Sequence, residues 1–178
     1  MSKVYAIVRR TSEVTLEDCV SSLKSKGFDY EVIDNKESLE SKTKQVIKRA
    51  GELKDKYDWV LVVDADIVIT LNKMQMVSYI NWQERKTKIS RFWAFAGWLD
   101  CTDRGLISGM RFYRTKYCTE AYEHIKDKSF QFHIGREEYE IGKYLQDEHN
   151  LRWELGYRKK PMGVHLFKIN NGQKRKEK

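Results

Sequence analysis

The chain has 178 residues, with 34 Lys and Arg against 26 Asp and Glu, and a formal net charge of +8. That length fits one domain with a real hydrophobic core, and that charge favours phosphate-bearing partners without separating a nucleotide from a nucleic acid or an anionic membrane. No apolar run approaches the roughly 20 residues of a membrane span, and Met1-Ser2-Lys3 leads straight into a strand-like segment with no signal-peptide architecture. Cys19, Cys101 and Cys118 make no CxxC and no Cys/His spacing for structural zinc, so reduced packing cysteines in a cytoplasmic protein are expected.

In chain order, residues 4–8 predict a strand and residues 16–26 an amphipathic helix, with Leu16, Cys19, Val20 and Leu23 at helical spacing and Gly27 ending it. Residues 28–33 predict a second strand. Residues 37–54 predict a charged helix that keeps Leu39, Val46, Ile47, Ala50 and Leu53 to one side. A third strand follows over residues 59–63, which reads as buried on both faces. That order, βαβαβ, argues for parallel pairing with right-handed crossovers. The second half changes character: a helix over 71–83, two strands over 92–98 and 106–113, helices over 115–126 and 137–148, and a last strand over 164–169. A hairpin or mixed sheet is expected there.

The densest chemistry lies in residues 57–70, YDWVLVVDADIVIT, where a β-forming run delivers Asp64 and Asp66 one residue apart. Ligands in α/β sheets collect at the carboxyl ends of the strands, where two acids suit a hard divalent cation and the phosphates it carries. The bland reading is that Asp-Ala-Asp caps the strand and opens a turn. Arg9, Arg10 and Thr11 follow the first strand and Asp34 the second, which makes them candidates for the same ligand. Aromatics at alternating spacing, such as Trp93, Phe95 and Phe112, read as core.

DAD, then GMRFYR over 109–114, then REEYEI over 136–141, then His165 in MGVHLF make an ordered set. It resembles glycosyltransferases of the GT-A fold, most closely the inverting family-2 type. The resemblance implies an α/β, single-domain GT-A-like fold over residues 1–170, with a Rossmann-like βαβαβ nucleotide half and a mixed central sheet, followed by a basic tail over 171–178. It implies Mn²⁺ or Mg²⁺ and a nucleotide-diphosphate-sugar donor. Asp66 would touch the metal, Asp64 the ribose or the metal through water, and His165 would add a ligand, imidazole favouring manganese over magnesium. A lone histidine in an apolar run is as often a core residue. Glu138 falls at the position of the family's catalytic aspartate and would be the general base, with Glu137 as substitute; Arg136 replaces the family's glycine there. Acids in a helix's first turn also occur without catalysis.

The donor set implied by the resemblance is Arg9, Arg10, Thr11, Asp34, Lys44, Asp64, Gly109 and Arg114, with Lys42 and Arg49 beside Lys44, and Trp98, Asp100 and Asp103 near the sugar or acceptor. QxxRW is absent, which argues against a processive synthase. The acceptor is open among protein, lipid, glycan and a hydroxylated base in DNA. VVDADIVIT also echoes the first motif of haloacid-dehalogenase-like phosphatases, although no paired acidic motif follows it. A non-catalytic nucleic-acid-binding protein would use the charge and the basic stretches at 85–88 and 158–160, but no reading motif accompanies them.

Overall fold

A computed structural model describes residues 2–10, 14–34, 38–86, 92–101, 104–130, 136–155 and 161–166. Its elements run β1 (Val4–Arg10), α1 (Leu16–Ser25), β2 (Tyr30–Asp34), α2 (Leu39–Glu52), β3 (Trp59–Asp64), β4 (Ile67–Ile69), α3 (Lys73–Lys86), β5 (Phe92–Cys101), β6 (Gly105–Arg114), α4 (Thr115–Ile125), α5 (Arg136–His149), β7 (Arg152–Leu155) and β8 (Pro161–His165). The strands form one mixed sheet in the order β2-β1-β3-β6-β5-β8-β4, with β7 also on β5. The α/β class, the βαβαβ start and the mixed sheet are as the sequence predicts.

β1, β2 and β3 pair in parallel, and β6 enters antiparallel beside β3. Two strands escape the sequence reading. Residues 67–69 form β4, a three-residue piece cut from what reads as one apolar run, and residues 152–155 form β7. The last strand begins earlier than expected, at Pro161, and residues 167–169 of its predicted span lie outside the described residues. β7 and β8 lie end to end along one edge of β5, with register shifts in both pairings.

The sheet has a core on each face. Val4, Ala6, Val8, Leu61, Val63 and Phe112 share one with Cys19, Leu23, Met76 and Ile80 from α1 and α3. Ile7, Val60, Val62, Trp93 and Tyr113 share the other with Val46, Ile47, Cys118, Ala121, Ile141 and Leu145 from α2, α4 and α5. Trp93, Phe95 and Phe112 are fully buried, as their alternation predicts. The helix ends have local causes: Ser38 accepts a hydrogen bond from the Ser41 N–H at 3.2 Å at the start of α2, and Gly27 takes φ +79° after α1. Gly51 lets α2 approach α4, since a Cβ there would stand 2.8 Å from the Thr119 backbone nitrogen. All three cysteines are buried thiols. Among the described residues no helix is long and apolar enough to cross a membrane.

Candidate active site

Parallel register builds the first part of the site. Arg9 of β1 stands opposite Asp64 of β3, and Arg10 opposite Asp34 of β2. Both cross-strand pairs are ion pairs at 2.8 Å. Arg9 grips Asp64 Oδ1 with Nε and Nη2 and donates from Nη1 to Thr43 Oγ1 on α2 at 3.1 Å. Burial draws the Arg9 guanidinium down, yet Asp64, with Tyr113 and Glu138 beyond it, more than offsets this and holds it above its ordinary value. Arg9 therefore sits in the field of both the acidic strand and the α5 carboxylate. Buried Lys42 donates from Nζ to the Arg10 carbonyl and closes the corner.

The DAD turn is fastened from below. The Ala65 N–H donates to the Arg9 carbonyl at 3.0 Å, and the buried Thr15 hydroxyl donates to the Ala65 carbonyl at 3.0 Å. Cys19 lies beneath; burial first, then the Asp66 and Asp64 carboxylates, push its thiol up to about 12. Past the turn, β4 pairs antiparallel with β8, which brings His165 opposite Ile67 and sets its Nε2 3.1 Å from Asp66 Oδ2. The Leu166 N–H donates to the Asp66 carbonyl at 2.7 Å. On the other flank His165 pairs with Cys101 of β5, whose Sγ is 3.5 Å from Nδ1. At these distances Nε2–H donates to the Asp66 carboxylate and the Cys101 S–H can donate to Nδ1; a bound cation would take the place of the Nε2 proton.

Among the described residues no three His, Cys, Asp or Glu side chains close a metal site by themselves. The donor set nonetheless fits a cation that phosphates help to hold. Asp66 and His165 are mostly buried and converge from strands joined by the ladder, and Mg²⁺-like ions commonly take one or two carboxylates, with substrate phosphates and water completing the shell. Asp64, in the grip of Arg9, stands one residue away.

Glu138 lies in the first turn of α5, where its carboxylate accepts Arg111 Nε on both oxygens, at 3.2 and 3.1 Å, and the Tyr113 hydroxyl on Oε1. Burial, then the nearby Glu138 charge, push the Tyr113 phenol well above its ordinary value, so it stays a donor. The Arg111 guanidinium lies 5.8 Å from the Trp153 ring centre, and Tyr113 stacks on Trp93 at 5.5 Å. Glu138 opens onto a cavity of about 610 Å³ between α5 and β7.

The sequence-predicted residues therefore divide. Arg9, Arg10, Asp34, Asp64, Asp66 and His165 gather at one end of the sheet, and Glu138 joins them through Tyr113 and Arg9. Arg114 does not: antiparallel β6 places it opposite Trp59, at the far end of β3 from Asp64, where it pairs with Glu84 and lies 4.9 Å over the Trp59 ring. The resemblance carried it to the donor because the strand's direction is invisible in the motif. Lys44 is also committed elsewhere, to Glu40 at 3.1 Å and to the Lys126 and Lys128 carbonyls beyond α4. Arg49 pairs with Glu31 and Glu52. Gly109 makes room for Leu99, whose Cδ1 would lie 2.4 Å from a Cβ there. Thr11, Asp103 and residues 158–160 lie outside the described residues, as does the Glu137 side chain. Thr15, Thr43, Cys101, Arg111 and Tyr113 escaped the sequence reading. For the last two a signal was present: in GMRFYR, positions 111 and 113 share one strand face and 110 and 112 the other.

No family model matches the chain, and no curated protein matches its sequence. Solved structures match its fold. A glycosyltransferase involved in the glycosylation of the major capsid of PBCV-1 gives a TM-score of 0.55 at 14% identity, over 92% of this chain and 94% of that one. A197 from STIV gives 0.54 at 18% identity, over 86% and 82%. The 4-diphosphocytidyl-2C-methyl-D-erythritol synthase from Anaerococcus prevotii DSM 20548 gives 0.51 at 9% identity, over 87% and 90%. What these similarities establish is the architecture, a Rossmann-like, GT-A-like domain with a mixed central sheet.

Proposed function

We propose that the chain is a metal-dependent glycosyltransferase that moves a sugar from a nucleotide-diphosphate-sugar donor to an acceptor hydroxyl, with inversion. The carrying observation is the 3.1 Å contact between Asp66 and His165, residues a hundred positions apart that the β4–β8 ladder joins beside the acidic strand end. The fold shared with the PBCV-1 glycosyltransferase supports the same reading. Asp66 and His165 would hold Mn²⁺ or Mg²⁺, and the bound ion supplies charge neutralisation for the departing diphosphate. Arg9 and Arg10 present cations at the same strand ends, and Asp34 and Asp64 offer acceptors to the ribose or base. Glu138 takes the acceptor hydroxyl's proton while that oxygen bonds to the anomeric carbon and the bond from that carbon to the diphosphate breaks. One direct displacement inverts the centre. The phosphatase reading lacks the paired acidic Asp-Asp motif that should follow its first motif in the sequence.

Calorimetry with uridine and guanosine diphosphates tests the donor site. Affinity should rise at least about tenfold with Mn²⁺ over chelator and lose that dependence in Asp66→Asn. Equal affinity with and without metal, and an inert Asp66→Asn, would make the acidic pair structural.

A further inference from the structure

The cavity that Glu138 opens onto is lined also by Arg111, Tyr139, Gly142, Lys143, Gln146, Arg152 and Trp153. Three cations face one carboxylate, and that carboxylate is held by Arg111 at 3.1 Å. Lys143 and Arg152 are exposed, and among the described residues neither forms an ion pair. Among the described residues Arg111 Nη1 and the Trp153 indole Nε1 have no acceptor, but both are buried rather than open to the cavity. Two exposed cations beside a carboxylate that Arg111 already neutralises favour an oxyanion. Arg111 spends its Nε on Glu138, and that ion pair leaves Lys143 and Arg152 as the cations open to a ligand. The open cations come from two elements, α5 and β7, and a ligand that neutralises both carries close to two negative charges.

We propose that this cavity seats a phosphomonoester on the acceptor and so delivers the acceptor's hydroxyl to Glu138. The assignment of the ligand to the acceptor rests on the glycosyltransferase reading; the oxyanion chemistry rests on the cavity alone. A phosphomonoester carries about −1.5 to −2 charges at neutral pH, which matches the two cations left over after Arg111 and Glu138 cancel. The volume also lies within the range of small-molecule sites.

Titration with glycerol 3-phosphate, in chelator and without nucleotide, tests the cavity apart from the donor site. Saturable binding is expected that glycerol and acetate do not reproduce, with perturbation of the Trp153 indole N–H resonance. The exposed double variant Lys143→Gln/Arg152→Gln should weaken it by about tenfold or more, while Mn²⁺-dependent nucleoside diphosphate affinity stays unchanged. No binding, binding indifferent to the double variant, equal binding of acetate, or preference for a phosphodiester oligonucleotide would each overturn the phosphomonoester assignment. Phosphate-ester binding without any metal-dependent nucleotide binding would uphold the oxyanion site and sink the transfer reading, so the two failures are distinguishable.

Discussion

Glu138 receives hydrogen bonds on both oxygens, from Arg111 Nε on each and from Tyr113 on Oε1. Glu138→Gln keeps the shape and an oxygen acceptor for one of these donors but removes the proton acceptor. Donor affinity should persist while transfer falls by about 10²-fold or more, read as single-turnover rate against nucleotide Kd. Near-normal turnover would move the base elsewhere. That Asp64, Asp66 and His165 come together was legible from residue type and order, because few positions justify two acids after a buried strand. Arg111 and Tyr113 were not, since an aromatic strand reads as core. Tyr113 is indeed core by burial, with its hydroxyl reaching Glu138.

At the scale of elements, glycines decide how closely the site's strands approach. A Cβ on Gly163 of β8 would stand 2.7 Å from the Val68 carbonyl oxygen, a backbone atom of the β4 partner that cannot swing aside. Gly163→Ala should force the strands apart, cost about 1–3 kcal/mol in denaturant melts, and weaken metal-dependent nucleotide binding by separating His165 from Asp66. Gly109→Ala meets only the Leu99 side-chain tip, which can rotate, so a smaller loss and unchanged nucleotide binding are expected. If Gly163→Ala lost stability without touching nucleotide affinity, the β4–β8 spacing would have no hold on the site. Elements with strong periodicity were legible to within a few residues at each end. β4 and β7 were not, because three or four residues are too short for any period to declare itself, and only their partners on β8 and β5 make them strands.

For the whole molecule, the +8 charge predicts duplex DNA binding at 50 mM salt that weakens steeply and is lost near 150 mM, since counterion release without base contacts carries no specificity. Electrophoretic mobility shifts across salt would check this. Retention at 150 mM, with sugar transfer to hydroxylated bases, would instead make DNA the acceptor. The βαβαβ half was legible because its strands pair with near neighbours in the chain. Strand order beyond β3 was not: an antiparallel β6 between β3 and β5 leaves no local mark, and it places Arg114 at the opposite end of β3 from Asp64.

His165 stands on β8, whose partners β4 and β5 were laid down about a hundred and about sixty residues earlier. Such distant pairings form late, because chain closure must precede any return from the contact. During synthesis the early strands therefore emerge, pair and bury their apolar faces while Asp66 still lacks its imidazole neighbour. A chain stalled before residue 161 is thus expected to be largely folded while the proposed metal site still waits for the arrival of β8.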